Sequence, residues 1–327
     1  MEPLETTAAA PPYMEHERRL FQSTVPLEAM LSRITSPETW TALNPQLSLT
    51  SHPFAGVREP YAFSPDDLAR SVARVKEEGY FQTRPTVPVG LCERLAQGVQ
   101  NLISAGIHPV FLAAYDEFWQ MAASLSPFVA PILGEGYQVL DEFWVFYVDP
   151  GKAASGWPPH RDYVSFPGRR GGMRADGRPT VATVWIPVTD ATPSNGCMYV
   201  LPTNLDPSLP AQPSAEMTPR PGNGVESLQD VRALPAPAGS VLTWNIFLLH
   251  WGGRSSRHAP HPRISVGFYF QSRDVEPLSD DAHDLRGELS LGERLARVGQ
   301  AILSYQNQLP ADVVELSRAL GRSGRAR

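Results

Sequence analysis

The chemistry open to this chain is set by a short pattern. In Trp157-Pro158-Pro159-His160-Arg161-Asp162-Tyr163 an imidazole and a carboxylate stand two positions apart. On an extended segment, residues i and i+2 point the same way, so two ligands for one small cation can come from a single stretch. A third donor, with coordination positions left open, would complete the two-histidine, one-carboxylate set that suits non-haem Fe(II). The same groups around zinc could instead activate a water. His250, His258 and His261 are the candidates for that third donor. His250 closes the apolar run Ile246-Phe247-Leu248-Leu249 and precedes Trp251-Gly252-Gly253, at the flank of a core strand. His258 and His261 lie among Arg, Pro and Ser in a loop and are read as solvated. Taken alone, His250 reads first as a hydrogen-bonded core histidine.

Arg263 opens a further strand. Arg263, Ser265, Gly267 and Tyr269 share one face, and Ile264, Val266, Phe268 and Phe270 the other. An arginine aimed into a core needs an anionic partner, because burying it unpaired is costly. A carboxylate matches it best, and Ser265 could add a hydroxyl. Alone, Arg263 is accounted for as a strand-start arginine reaching solvent or a nearby Asp. Arg161, Arg169, Arg170, Arg174 and Arg178 mark the segment after the first ligands. As a mobile loop over 166–178, it either clamps a carboxylate, a phosphate or a coenzyme A thioester or is solvated surface.

These residues need a scaffold, and the chain supplies one in three parts. Helical spacing is found over 18–34 and over 91–102 (Leu91, Leu95, Val99, Leu102). Ser64-Pro65-Asp66-Asp67 is a capped helix start that runs to Gly79, and 109–125 is read as one further helix. A short strand is expected at 80–84. From 138 the pattern turns to strands: 138–148, the alternating 180–189, then 198–201 after the Asn195-Gly196 turn, 231–234, 241–245, 246–251 and 263–271. Helical spacing returns over 291–305 and 312–320. The organisation expected is a disordered tail (1–15), a helical N-terminal part (16–136), a jelly-roll catalytic core (137–272) and a C-terminal helical extension (273–327), forming one catalytic domain. The fold class is mainly β with flanking helices, its core a double-stranded β-helix of the jelly-roll or cupin-like kind.

Composition narrows the partners. A net charge of −6 and a pI near 5.8 leave no electrostatic footprint for nucleic acid. Cys92 and Cys197 are the only cysteines, which implies no disulfide framework and excludes cysteine zinc sites. The N-terminus has no basic stretch followed by an apolar one, and no apolar run approaches the ~18 residues of a membrane span. A cytoplasmic protein with a small-molecule substrate, monomeric or homodimeric, is expected.

The wider text carries a resemblance. Thr183-Val184-Trp185-Ile186-Pro187-Val188-Thr189-Asp190 is followed by Ser194-Asn195-Gly196-Cys197-Met198. Ala238-Gly239-Ser240-Val241-Leu242 comes before His250, and Glu78-Gly79-Tyr80 lies far upstream. With His160, Asp162, His250 and Arg263 in that order, the chain over about 64–271 resembles the phytanoyl-CoA dioxygenase family of Fe(II)/2-oxoglutarate-dependent oxygenases. The resemblance implies that His160, Asp162 and His250 hold iron as the catalytic centre and that Arg263 holds the distal carboxylate of 2-oxoglutarate. Thr183 and Trp185 would line the cosubstrate pocket. Where the family can carry a cosubstrate-binding Ser two residues after the distal His, this chain has Gly252, and Ser265 is expected to take that role. Pro202-Thr203-Asn204-Leu205 replaces the family's Pro-Gly-Ser-His.

The activity implied is hydroxylation of an aliphatic C–H bond with O2, releasing succinate and CO2, on a carboxylate- or acyl-bearing small molecule of secondary metabolism. Desaturation and cyclisation belong to the same chemistry. Related halogenases lack the carboxylate that Asp162 supplies. Arg161, Tyr163 and Trp157 are the residues expected at the substrate. The rival readings are a non-catalytic jelly-roll binding protein and a metal-dependent hydrolase using the same three ligands, which would have no need of Arg263.

Overall fold

The computed structural model describes residues 12–21, 26–57, 61–134, 136–152, 154–165, 172–210, 227–278, 282–305 and 309–324. The N-terminal half is helical: α1 (Pro12–Phe21), α2 (Leu27–Thr35), α3 (Pro37–Leu43), α4 (Pro65–Glu77), α5 (Val89–Ser104), α6 (Asp116–Ser124) and α7 (Ser126–Leu133). Helix α1 begins inside the stretch read as a tail, and 18–34 is divided between α1 and α2. Helix α4 starts as its sequence dictates: the Ser64 hydroxyl accepts from Asp67 N at 3.0 Å, Pro65 opens the first turn, and Gly79 leaves the helix at a φ of 86°. The single helix expected over 109–125 is broken. A 3-10 turn (Pro109–Ala114) ends at Tyr115, which is extended, and α6 starts afresh. The break frees the Asp116 carboxylate to accept from Thr50 N (3.0 Å), Thr50 Oγ1 (2.7 Å) and Arg294 Nη1 (2.7 Å).

The strands are β1 (Tyr80–Gln82), β2 (Tyr137–Val139), β3 (Trp144–Val148), β4 (Val181–Pro187), β5 (Met198–Leu201), β6 (Arg232–Leu234), β7 (Leu242–Asn245), β8 (Leu249–Gly252) and β9 (Arg263–Ser272). They form two antiparallel sheets. The larger has the order β1-β7-β4-β9-β2, with β3 sharing β9 with β2; the smaller is β6-β5-β8. Isolated bridges Ser155↔Arg254 and His160↔His250 lay the chain before Asp162 along β8, extending the smaller sheet by an irregular strand. This is the jelly-roll core expected. The strand expected over 138–148 is two strands, because the chain leaves the ladder where Asp141 turns inward to accept from Arg297 Nη1 at 2.9 Å.

Alternation decides which face does what. Ala182, Val184 and Ile186 of β4 and Ile264, Val266, Phe268 and Phe270 of β9 pack on the helices in the main core. Trp185, Leu242 and Trp244 face the second sheet and meet Met198, Val200 and Leu248 there. Helix α8 (Leu291–Leu303) and helix α9 (Ala311–Gly324) close the fold. A capping box of Ser290 and Glu293 starts α8. Arg294, fully buried, donates to Leu289 O, Ala114 O, Asp116 Oδ1 and Thr50 O. It thereby ties α8 to the stretch after α3 and to the start of α6. Among the described residues, no helix is long and apolar enough to cross a membrane.

Candidate active site

His160 and Asp162 sit where the irregular strand leaves β8, and His250 is directly across the bridge from His160. The three donor atoms lie within 4.8 Å of one another. Both imidazoles are aimed by backbone carbonyls: His160 Nδ1 lies 2.7 Å from Pro158 O and His250 Nδ1 lies 3.0 Å from Leu248 O. A carbonyl can only accept, so Nδ1 carries a proton in each ring and Nε2 is the nitrogen turned towards Asp162. Each Nε2 is 3.6 Å from Asp162 Oδ1, too long for a hydrogen bond and short enough for one small cation to bridge.

The protonation states suit a metal as well. Burial pushes the His250 imidazole down to about 4 despite the neighbouring Asp162 carboxylate, so it is neutral at pH 7. Burial acts to raise the Asp162 carboxyl, but the imidazoles of His250 and His160 and the Thr183 hydroxyl outweigh it. The group is held well below the usual carboxylate range. An ionised carboxylate and a neutral imidazole are donors that Fe(II) takes.

Asp162 is 2% exposed, and three neighbouring strands secure it. Across the larger sheet, Trp244, Thr183 and Tyr269 stand directly opposite one another in a single row. Thr183 Oγ1 (2.6 Å) and Trp244 Nε1 (2.8 Å) donate to Asp162 Oδ2, and Tyr269 Oη (2.7 Å) donates to Oδ1. Burial, then the charge of Asp162, raises the Tyr269 phenol well above its ordinary value, so it remains a donor. Trp244 and Tyr269 were not singled out from the sequence. Their alternation was legible; the register that aligns them was not.

Arg263 is 1% exposed and donates from Nη1 to Ser265 Oγ at 2.8 Å. Its guanidinium carbon lies 5.6 Å from the Trp185 ring centroid and 5.8 Å from that of Phe146. Two glycines let the backbone approach its other edge closely. A Cβ at Gly156 would fall 2.9 Å from Arg263 Nη2, and one at Gly252 would fall 3.1 Å from it and 2.8 Å from Gly156 Cα. A serine at 252 has no room, which accounts for the departure from the family pattern at that position. A buried guanidinium bordering a cavity offers a cradle that a carboxylate would match.

One cavity is bordered by the three candidate ligands, Arg263, Thr183, Trp185 and Trp157. Arg161 and Tyr163, expected at the substrate, do not border it. Arg161 is 2% exposed and turns away from the cavity, its guanidinium 2.6 Å from Asp206 Oδ2, Phe247 O and Ser208 Oγ. Tyr163 stacks on Phe247 at 5.2 Å. The cause is alternation: Arg161, between two ligands that face inward, must face out. Arg174 pairs with Asp274 and Arg178 with Asp176, in a tight turn closed by the Met173↔Pro179 bridge, so these do not form a mobile anion clamp. Arg169 and Arg170 lie outside the described residues.

Comparison with known proteins adds the following. The family model described as Phytanoyl-CoA dioxygenase (PhyH) matches residues 75–260. A search of curated proteins gave no match. Among solved structures, a non-heme monooxygenase, the ThoJ–Ni complex, is 16% identical with a TM-score of 0.52, covering 74% of this chain and 98% of that chain. The epimerase SnoN in complex with Fe3+, alpha ketoglutarate and nogalamycin RO is 15% identical with a TM-score of 0.49, covering 69% of this chain and 96% of that chain. EctD from S. alaskensis with 2-oxoglutarate and 5-hydroxyectoine is 17% identical with a TM-score of 0.47, covering 70% of this chain and 83% of that chain. The likeness to ThoJ is one of fold.

Proposed function

We infer the reaction from one premise: the chain belongs to the phytanoyl-CoA dioxygenase family of Fe(II)/2-oxoglutarate-dependent oxygenases. Its cofactors are iron, 2-oxoglutarate and O2. Within that class, we propose that it hydroxylates an aliphatic C–H bond of a small-molecule substrate. Bound iron with 2-oxoglutarate supplies the oxidising power, and the cosubstrate is released as succinate and CO2.

The chain's own residues do the rest. His160, Asp162 and His250 would hold the metal through two neutral imidazoles and one carboxylate. Thr183, Trp244 and Tyr269 keep that carboxylate aimed and ionised by occupying its remaining lone pairs. Arg263, steadied by Ser265 and framed by Gly156 and Gly252, would take the distal carboxylate of the cosubstrate. The aromatic walls, Trp185 and Trp244 among them, exclude water from the reacting centre. Asp162 fills the position that a halide would need, which favours hydroxylation over halogenation.

The observation that carries this reading is the presence of the three donors and a buried arginine on one cavity. A hydrolase using the same three ligands would leave Arg263 idle. The test is anaerobic: Fe(II) and then 2-oxoglutarate are added to the metal-free protein, and the visible charge-transfer absorbance of the chelate is followed. The band is expected in the unsubstituted protein, lost in His160→Ala and weakened in Arg263→Ala. Iron bound without any band sinks the reading.

A further inference from the structure

Besides the candidate ligands and Arg263, the cavity is bordered by a cluster of three aromatic rings. Tyr305, just past α8, meets Trp144 of β3 and Trp157 of the irregular strand edge to face there. Tyr305 lies 4.9 Å from Trp144 at 71° and 4.6 Å from Trp157 at 85°, measured between ring centroids. Trp157 in turn lies 5.7 Å from the His160 ring, so this wall adjoins the metal ligands. Tyr305 falls outside the 75–260 stretch matched by the family model.

Charge on this lining is accounted for. Among the described residues bordering the cavity, Asp162, Arg263 and the two histidines are the only ionisable groups besides the phenols of Tyr269 and Tyr305. Asp162 and the histidines form the metal site, and Arg263 faces the cosubstrate cradle. Of the arginines that could have clamped a carboxylate, the described ones, Arg161, Arg174 and Arg178, are paired elsewhere. Among the described residues, an anionic substrate group would therefore meet no counter-charge in this apolar slot, which disfavours it.

Two donors remain on this wall. Trp144 Nε1 and Trp157 Nε1 are both buried and have no hydrogen-bond partner among the described residues. Buried indole N–H groups are ordinarily satisfied, so an acceptor is missing from the picture. Both indoles border the cavity.

We propose that the slot walled by Trp144, Trp157 and Tyr305 is the substrate subsite, and that it takes an uncharged, ring-bearing molecule presenting a carbonyl or ether oxygen to the indole N–H groups. The proposal rests on the oxygenase reading above and narrows its substrate class. Edge-to-face aromatic walls hold a ring by shape and quadrupole. The indole donors orient it, and the target carbon is presented towards the open side of the metal ligands.

The test uses anaerobic protein loaded with Fe(II) and 2-oxoglutarate and three probes of one shape: 1-tetralone, tetralin and tetralin-1-carboxylate. Affinities are measured by calorimetry, with the charge-transfer band recorded in the same samples. Tetralone is expected to bind about tenfold more tightly than tetralin, as one satisfied buried donor warrants, and the carboxylate more weakly than either. Trp157→Phe or Trp144→Phe, which keeps a ring but removes the N–H, should bring tetralone down to the level of tetralin and leave tetralin unchanged. Tyr305→Ala should weaken both neutral probes. Equal binding of tetralone and tetralin, preference for the carboxylate, or no binding of any probe overturns the proposal. A missing band with the expected probe pattern overturns the oxygenase reading and leaves the slot as a binding site. A present band with the wrong pattern does the reverse.

Discussion

Thr183→Val is the sharpest probe of how the carboxylate is held. Valine matches threonine in shape, so the change deletes one hydroxyl at a site only 4% exposed. The bond lost is a 2.6 Å donation to a buried, ionised carboxylate, a kind worth about 1.5–3 kcal/mol. It exists with and without metal, so its loss should lower folding stability by that amount in the metal-free protein. Trp244 and Tyr269 still hold Asp162, one on each oxygen, so the carboxylate should loosen rather than turn away. Loss of an outer hydrogen bond of this type costs about 10- to 100-fold in metal affinity. The assay is anaerobic Fe(II) titration at saturating 2-oxoglutarate, with urea denaturation of the metal-free protein run in parallel. Combining Thr183→Val with Trp244→Phe should be worse than additive, because both donors serve Oδ2. If stability falls as expected while iron affinity stays within about twofold of the starting protein, Thr183 only supports the fold. The argument that the row of three donors aims the ligand is then refuted.

Three further outcomes follow from the packing. Arg161→Met leaves Asp206, 6% exposed, without its cation; stability should fall by about 3–5 kcal/mol, read from the denaturation midpoint. Gly252→Ala puts a methyl group 3.1 Å from Arg263 Nη2. It should raise the Kd for 2-oxoglutarate by about tenfold or more, seen by titrating the charge-transfer band, with iron affinity changed less. Burial pushes the Cys92 thiol up to about 11 and raises Cys197 as well. Thiols with folded values above the unfolded one contribute stability that is full below the unfolded pKa and is lost as pH rises through the folded one, about 11 for Cys92. Neither should react with Ellman's reagent at pH 8 until denaturant is added, and rapid labelling of the folded protein would contradict the burial.

What could be read from the sequence was local. The alternation in β4 and β9 already separated the helix-facing residues from those facing the second sheet, and the His160-x-Asp162 spacing put two donors on one side of one segment. The remainder is decided by pairing between distant stretches. Trp244 and Tyr269 reach Asp162 because β7, β4 and β9 align in one particular register, which no single strand encodes. Arg161 is drawn off by Asp206 and Ser208, which lie beyond β5. The 138–148 strand reads as continuous because the cause of its break is Arg297, on a helix near the other end of the chain. Tyr305 borders the cavity for the same kind of reason, through the docking of α8.

Arg294 makes that docking an all-or-none matter. Its one guanidinium serves acceptors at positions 50, 114, 116 and 289, so α8 can be seated only when all of these are already in place. During synthesis the two sheets are available once β9 has emerged. Tyr305, the last member of the aromatic wall, must wait for some thirty residues more. The two sheets and the donor row that holds Asp162 are thus in place before the wall is closed. Exchange of the stretch after β9 between relatives would replace that one aromatic face while Trp144, Trp157 and the donor row of the larger sheet are left as they stand.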